Sequence, residues 1–456
     1  MTHLFELVAA RTAARPSRSC APRVPNAHLF DGVSGPALLS VADGRIHEID
    51  AGLAGSFDLC MAAGDGERLG TLMTVFGLGE TARAPDPPPA SVAVRTFSLA
   101  VSQKCNLGCT YCYAEQGSFG GDAKNMPQPI AEAAIDRLFD GVEPGQRLDL
   151  VFLGGEPLAN REGLRNAVHY AAARASAEGV GIGFSLTTNA TLLTAADADF
   201  FARYGFSVTI SIDGIGAAHD RLRPFKSGRG SFDRVMERAR LLLARKEMMR
   251  ISARVTVTPD NLALPDTLNA LVELGFDRVQ FSPMLSAPSG RGQMDAAALD
   301  AMLQQMIDCG RAFEARLAEG QVLPFANMIS TLQRIHTGAR DAYPCAAGGS
   351  YMGVSADGGL YACHRFVGDE AGAMGDIRSG IDRDKQAGWL AARHLESQTP
   401  CTTCWARHLC GGSCHYEAMH AGREACDYIR GWLHYCLSAY VRLLKNPPER
   451  VRRVLG

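Results

Sequence analysis

Three thiols lie close together in Cys105-Asn-Leu-Gly-Cys109-Thr-Tyr-Cys112-Tyr113. They follow an apolar run, Thr96-Phe-Ser-Leu-Ala-Val-Ser102, that reads as a buried strand. A loop this tight can wrap three sulfurs around one metal centre and cannot supply a fourth. An iron–sulfur cubane usually takes four cysteines, so three would leave one iron open to a small ligand. A structural zinc site would instead need a fourth donor from elsewhere to close its tetrahedron. Spacing alone leaves both open.

A second reserve of thiols lies near the C-terminus: Cys345, Cys363, Cys401, Cys404, Cys410, Cys414, Cys426 and Cys436. Val354-Ser-Ala-Asp357-Gly358-Gly359-Leu-Tyr-Ala362 reads as a hairpin whose Asp-Gly turn brings Cys363 beside Cys345. Clusters with this spacing mean zinc ribbons or iron–sulfur clusters. Cys20, Cys60 and Cys309 have no place in a motif and read as small apolar residues.

These thiols sit in a chain of 456 residues, room for two or three domains. A formal net charge of −2 gives no electrostatic reason to expect nucleic acid or an anionic membrane as partner. No apolar run approaches a membrane span, and Met1-Thr-His-Leu-Phe-Glu-Leu lacks the regions of a signal peptide. Clustered cysteines in a reducing compartment suggest metal rather than disulfides, so the expected location is cytoplasmic.

The elements that must position the thiols fall into four segments. Residues 1–84 read as a small module, with a hairpin around Asp43-Gly44 and helix-like stretches near Gly55–Ala63 and Glu67–Phe76. A hairpin plus helices resembles winged-helix modules that recognise leader peptides, which could pair a peptide against a sheet edge. The bland alternative is a structural cap. Residues 85–92 form a proline-rich linker that few contacts should cross. From 93 to 330 one pattern recurs: a short apolar run, a polar motif, then an amphipathic stretch. The runs are Arg95–Val101, Leu148–Leu153, Ile182–Thr187, Ser207–Ile212, Ile251–Val257 and Arg278–Phe281. Such alternation implies an α/β fold with a parallel sheet, here a partial (β/α)6 barrel with its site at the carboxyl ends of the strands. Residues 331–456 carry the second set of thiols.

Each strand end carries a polar motif. The cysteine loop follows the first and Gly154-Gly155-Glu156-Pro157 the second, where glycines permit close backbone approach to a ligand. Thr187-Thr188-Asn189 follows the third, Ser211-Ile-Asp213-Gly214 the fourth, and Arg254 lies within the fifth. Singly, these are weak: Asn189 or Asp213 could merely cap a helix. Together and in this order they resemble the radical S-adenosylmethionine (SAM) enzymes. The resemblance implies that Cys105, Cys109 and Cys112 hold a 4Fe–4S cluster whose open iron is chelated by SAM. It places adenine near the backbone of Tyr111 and the methionine ammonium at Gly154, Gly155 and Glu156. Asn189 and Ser211 would then contact the ribose or carboxylate.

The C-terminal pattern resembles the SPASM domain, which carries two auxiliary 4Fe–4S clusters, three clusters in all with the first. Gly358 matches its GxxxxC element. A closer resemblance is to the maturation proteins of quinohemoprotein amine dehydrogenase, carried by Cys363-His-Arg-Phe-Val367, Cys401–Cys414 and Asp427-Tyr-Ile-Arg-Gly-Trp-Leu433. These enzymes join cysteine sulfur to methylene carbons of Asp or Glu in a small precursor subunit. The resemblance implies that Cys345, Cys363 and Cys414 hold one auxiliary cluster and Cys401, Cys404, Cys410 and Cys426 the other. An open iron is then expected on the first, with Cys436 outside both. The implied partners are a small cysteine-containing precursor and an electron donor such as flavodoxin or ferredoxin. No catalytic base is needed, and Asp357, Asp369 and Asp376 are unranked candidates. The nearest rival is a sulfatase-maturating type of enzyme that oxidises Cys or Ser to formylglycine. A non-catalytic, zinc-holding peptide scaffold is the rival from another class.

Overall fold

The structure, a computed structural model, describes residues 26–78 and 87–456. Cys20, the N-terminal heptapeptide and part of the proline-rich linker lie outside the described residues.

Strands β1 (Ala27–Asp31), β2 (Pro36–Ser40) and β3 (Ile46–Glu48) form an antiparallel sheet in that order. The expected Asp-Gly turn joins β2 to β3, with Gly44 at φ +74° and its N–H donating to Ser40 O. Helices Ala51–Ala63 and Gly66–Val75 follow; Asp50 caps the first by accepting from the N–H groups of Gly52 and Leu53. Phe57, Cys60, Leu69 and Met73 fill a small core between these helices and Leu38 of β2. The other face of the sheet is apolar too. Phe30, Ala37, Leu39 and Val41 join the main core, His28 stacks on Trp405 at 3.5 Å, and Arg407 donates to Asn26. The module is therefore docked on the C-terminal region. The linker reading, in which few contacts cross, missed this because docking depends on residues remote in sequence.

Six parallel strands form the middle of the chain: β4 (Thr96–Ser102), β5 (Arg147–Gly154), β6 (Gly181–Thr188), β7 (Ser207–Ser211), β8 (Arg250–Val257) and β9 (Arg278–Pro283), neighbours in that order. Helices such as Gln128–Phe139, Arg161–Glu178, Phe232–Leu243 and Leu264–Glu273 cross between them. This is the expected α/β partial barrel. The sheet extends further than the alternation implied. Strand β10 (Tyr351–Val354) pairs in parallel with β4, and β11 (Gly359–Tyr361), β12 (Ala373–Asp376) and β13 (Gly380–Ile381) continue it antiparallel, making ten strands.

Helix Cys426–Leu443 packs on helices Ala296–Ala318 and Ala326–His336 behind the barrel. Cys309 and Cys436 are buried in this layer, the latter with its sulfur 3.8 Å from Met328 Sδ. No helix among the described residues is long and apolar enough to cross a membrane.

Candidate functional site

The cysteine loop starts three residues past β4 and is held from both sides. On one side Gly108 N–H donates to Pro224 O, Thr110 N–H to Leu222 O, and Leu107 bridges Phe225. On the other, Gly155 N–H donates to Ser102 O and Glu156 N–H to Lys104 O. A Cβ on Gly155 would lie 2.3 Å from Lys104 O and 2.8 Å from Gly117 Cα, and one on Gly154 2.2 Å from Ser102 O. The double glycine therefore lets two backbones cross. Its close approach is to the cysteine loop itself, where the sequence suggested a ligand.

Within the loop, Leu107 N–H donates to Cys105 Sγ at 3.4 Å and Gln116 N–H to Cys112 Sγ at 3.2 Å. Burial is the main cause that pushes the Cys105 thiol up to about 11 and Cys109 to about 12, helped by Glu156 at Cys105 and by the neighbouring thiols at both. The nearby Arg223 guanidinium opposes the rise at each. Metal binding must therefore displace protons here.

Around the loop the strand-end motifs act mostly on one another. Glu156 is fully buried, and its carboxylate accepts from Leu158 N, Thr188 Oγ1 and Asn189 N at 3.0, 2.6 and 2.7 Å. It ties the end of β5 to the end of β6. Burial raises its pKa against those three hydrogen bonds. Asn189 in turn points its amide at Cys105 Sγ, 3.7 Å away, and at Asn106 Oδ1. Tyr111 buries its ring, donates its hydroxyl to Asp213 Oδ2 and accepts from Arg223 Nη1 at 2.7 Å. Asp213 also accepts from Thr256 N, and its own N–H donates to His219 Nδ1. His219 therefore carries its proton on Nε2, beside Ser231 Oγ, and Ser231 donates to Arg223 O. Ser211 ends β7, level with Arg254 of β8.

The second set of thiols falls into two groups in space. Cys345, Cys363 and Cys414 lie within electrostatic reach of one another. The β10–β11 hairpin brings Cys363 there, turning at Gly358 with φ +96°. Cys345 and Cys414 are exposed. Cys401, Cys404, Cys410 and Cys426 line a separate open pocket, with Arg423 and Arg430 on its wall. Neither set includes Cys436. Among the described residues no three His, Cys, Asp or Glu side chains converge as for a single metal ion. Donor sets made of thiols alone suit zinc or an iron–sulfur cluster.

The two cysteine systems touch. Arg365 lies over the Tyr113 ring at 5.2 Å and the Tyr416 ring at 4.2 Å, and its guanidinium pairs with Glu417. Tyr113 adjoins Cys112, Arg365 is close to Cys363, and Tyr416 is close to Cys414. The unranked acids are all engaged elsewhere: Asp357 with Lys124, Asp369 with His420, Asp376 with the Arg378 N–H. Sequence reasoning passed over Arg223, His219, Arg365 and Glu417. The only signal for the first two was an Arg/His-rich stretch after Gly214, which reads equally as an exposed helix.

The sequence model described as the Radical SAM superfamily matches residues 99–246. The chain is 26% identical over 351 residues to a serine-type anaerobic sulfatase-maturating enzyme of Klebsiella aerogenes, covering 75% of this chain and 85% of that one. It is 28% identical over 244 residues to the pre-heme d1 synthase of Dinoroseobacter shibae, 52% of this chain and 56% of that one. Among solved structures, native anSMEcpe with bound AdoMet has a TM-score of 0.64 at 18% identity, covering 77% of this chain and 100% of that one. Streptococcus suis SuiB bound to precursor peptide SuiA has a TM-score of 0.51 at 14% identity, covering 87% and 96%. At those identities the structural likeness is one of fold. The cysteine triad, the crossing glycines, Asp213, His219 and Arg223 all fall within the residues that the Radical SAM superfamily model matches.

Proposed function

We propose that the protein is a radical SAM maturase that joins cysteine sulfur to a methylene carbon of Asp or Glu in a small precursor polypeptide, the linkage made for quinohemoprotein amine dehydrogenase. Cys105, Cys109 and Cys112 would hold the SAM-binding 4Fe–4S cluster, and the two C-terminal sets one auxiliary cluster each. When bound, SAM and its cluster supply hydrogen-atom abstraction from an unactivated C–H bond. The chain's own residues position and enclose. Gly154 and Gly155 offer backbone, Ser211 a hydroxyl, and Tyr111 a rigid wall beside the triad. With both oxygens of Glu156 engaged, its part is to fix Asn189 and the ends of two strands, so a SAM ammonium falls to the backbone beside it.

The observation that carries the thioether reading is the set of Cys345, Cys363 and Cys414. It has three thiols, two of them exposed, and among the described residues no fourth cysteine joins them. That leaves one position for an outside donor such as a substrate cysteine. A second reading, oxidation of Cys or Ser to formylglycine, is favoured by the sulfatase-maturating relatives. Mass analysis of a cysteine-containing precursor after co-expression tests both. A thioether leaves a cysteine that resists alkylation and links two fragments. Formylglycine leaves an aldehyde that a hydrazide traps, and that result would replace the first reading with the second.

A further inference from the structure

Strand β8 carries an arginine on the face that lines the barrel. Ile251, Ala253, Val255 and Val257 are fully buried against the surrounding helices, so Ser252, Arg254 and Thr256 face inward. The register sets Arg254 level with Ser211 on β7 and Gln280 on β9, and Ser252 level with Thr209 and Arg278. Complete barrels fill such layers with branched apolar side chains. Here the layers present hydroxyls, an amide and guanidinium groups. Arg254 is exposed, and among the described residues it has no ion pair or side-chain hydrogen bond. Its charge is felt at Tyr113, directly after Cys112, and at His364, directly after Cys363. The cation thus lies within electrostatic reach of both the first cysteine loop and the three-thiol set. A guanidinium is always charged and its planar fork matches a carboxylate with two parallel hydrogen bonds.

We propose that Arg254 binds the side-chain carboxylate of an acidic residue of the peptide substrate and so presents that residue at the site of hydrogen abstraction. This rests on the peptide-modifying reading above and names the residue that would recognise the acidic side chain at the reacting position. The same fork would accept the carboxylate of SAM, so the two sources must be told apart.

The test uses the iron-loaded full chain with SAM and two synthetic peptides, each with one cysteine, identical except for Glu against Gln. Wild type is expected to bind the Glu peptide about tenfold or more tightly, the scale of a charge-assisted bidentate pair. R254Q should erase the preference, R254K should keep part of it, and R254E should prefer a third peptide with Lys at that position. SAM affinity of R254Q, from equilibrium dialysis, should stay at the wild-type value. Equal binding of both peptides by wild type, including no binding at millimolar concentration, overturns the proposal, as does a preference that survives R254Q. Lost SAM affinity in R254Q overturns it in favour of the SAM carboxylate. Mass analysis of the same mixtures reads the product separately, so an aldehyde in place of a thioether strikes the thioether reading without touching the binding result.

Discussion

At the scale of single residues, the site depends on atoms that are missing. Gly155 and Gly117 face each other across the crossing of two loops, and a methyl on either would meet backbone at 2.7–2.9 Å or closer. Gly155→Ala is therefore expected to displace the cysteine loop at a cost of roughly 1–3 kcal/mol. Iron content should fall by the share of one cluster, with the auxiliary clusters kept; iron assay and visible absorbance check this. The triad was legible because its three thiols are neighbours in sequence. The roles of Glu156 and Tyr111 were legible only as positions. Their partners, Thr188 and Asn189 for one and Asp213 and Arg223 for the other, come from different strand ends, and no local pattern records which groups a buried carboxylate will accept from.

At the scale of elements, the alternation of apolar run and amphipathic stretch located all six parallel strands, because each buries one face against helices and the period follows. Strand β10 escaped, since four residues are too few to show a period and its partner β4 lies some 250 residues away. The β10–β11 turn was legible through Asp357-Gly358, and the geometry shows why glycine is needed there. Gly358 has φ +96°, and a Cβ would meet Ile377 Cγ1 at 2.7 Å. Gly358→Ala should turn the hairpin and move Cys363, lowering auxiliary-cluster iron while the first cluster remains. Mössbauer or EPR spectra resolved by cluster would show that loss; an unchanged spectrum would free Cys363 from dependence on the turn.

At the scale of the whole molecule, burial keeps many histidines neutral. It lowers His219 and His364 to about 3 and His408 and His415 to about 4, and it depresses His28 and His434 as well. Neighbouring arginines add to the effect at His219, His364, His408 and His415. The unfolded chain takes up protons as pH falls through 6.5, whereas the folded chain does not until nearer 3 or 4. Stability is thus fully present above 6.5 and is lost as pH falls below it, by up to about 1.4 kcal/mol per pH unit for each such histidine. Urea midpoints of the metal-free protein should drop between about pH 7 and pH 5. His219→Gln, which removes one of these groups, should make the slope shallower. A flat profile would mean that the histidines are solvated.

The continuous sheet has a consequence for the covalent chain. Residues 337–341 form a partly exposed stretch between the barrel and the second cysteine region, with Thr337, Arg340 and Asp341 exposed. Severing the peptide bond there would not separate the two halves. The newly made C-terminal fragment would remain hydrogen-bonded to β4 through β10 and clamped by helix Cys426–Leu443 against Ala296–Ala318. The backbone connection at this point is dispensable for cohesion, and two polypeptides made apart would have the surfaces to reassemble as one enzyme.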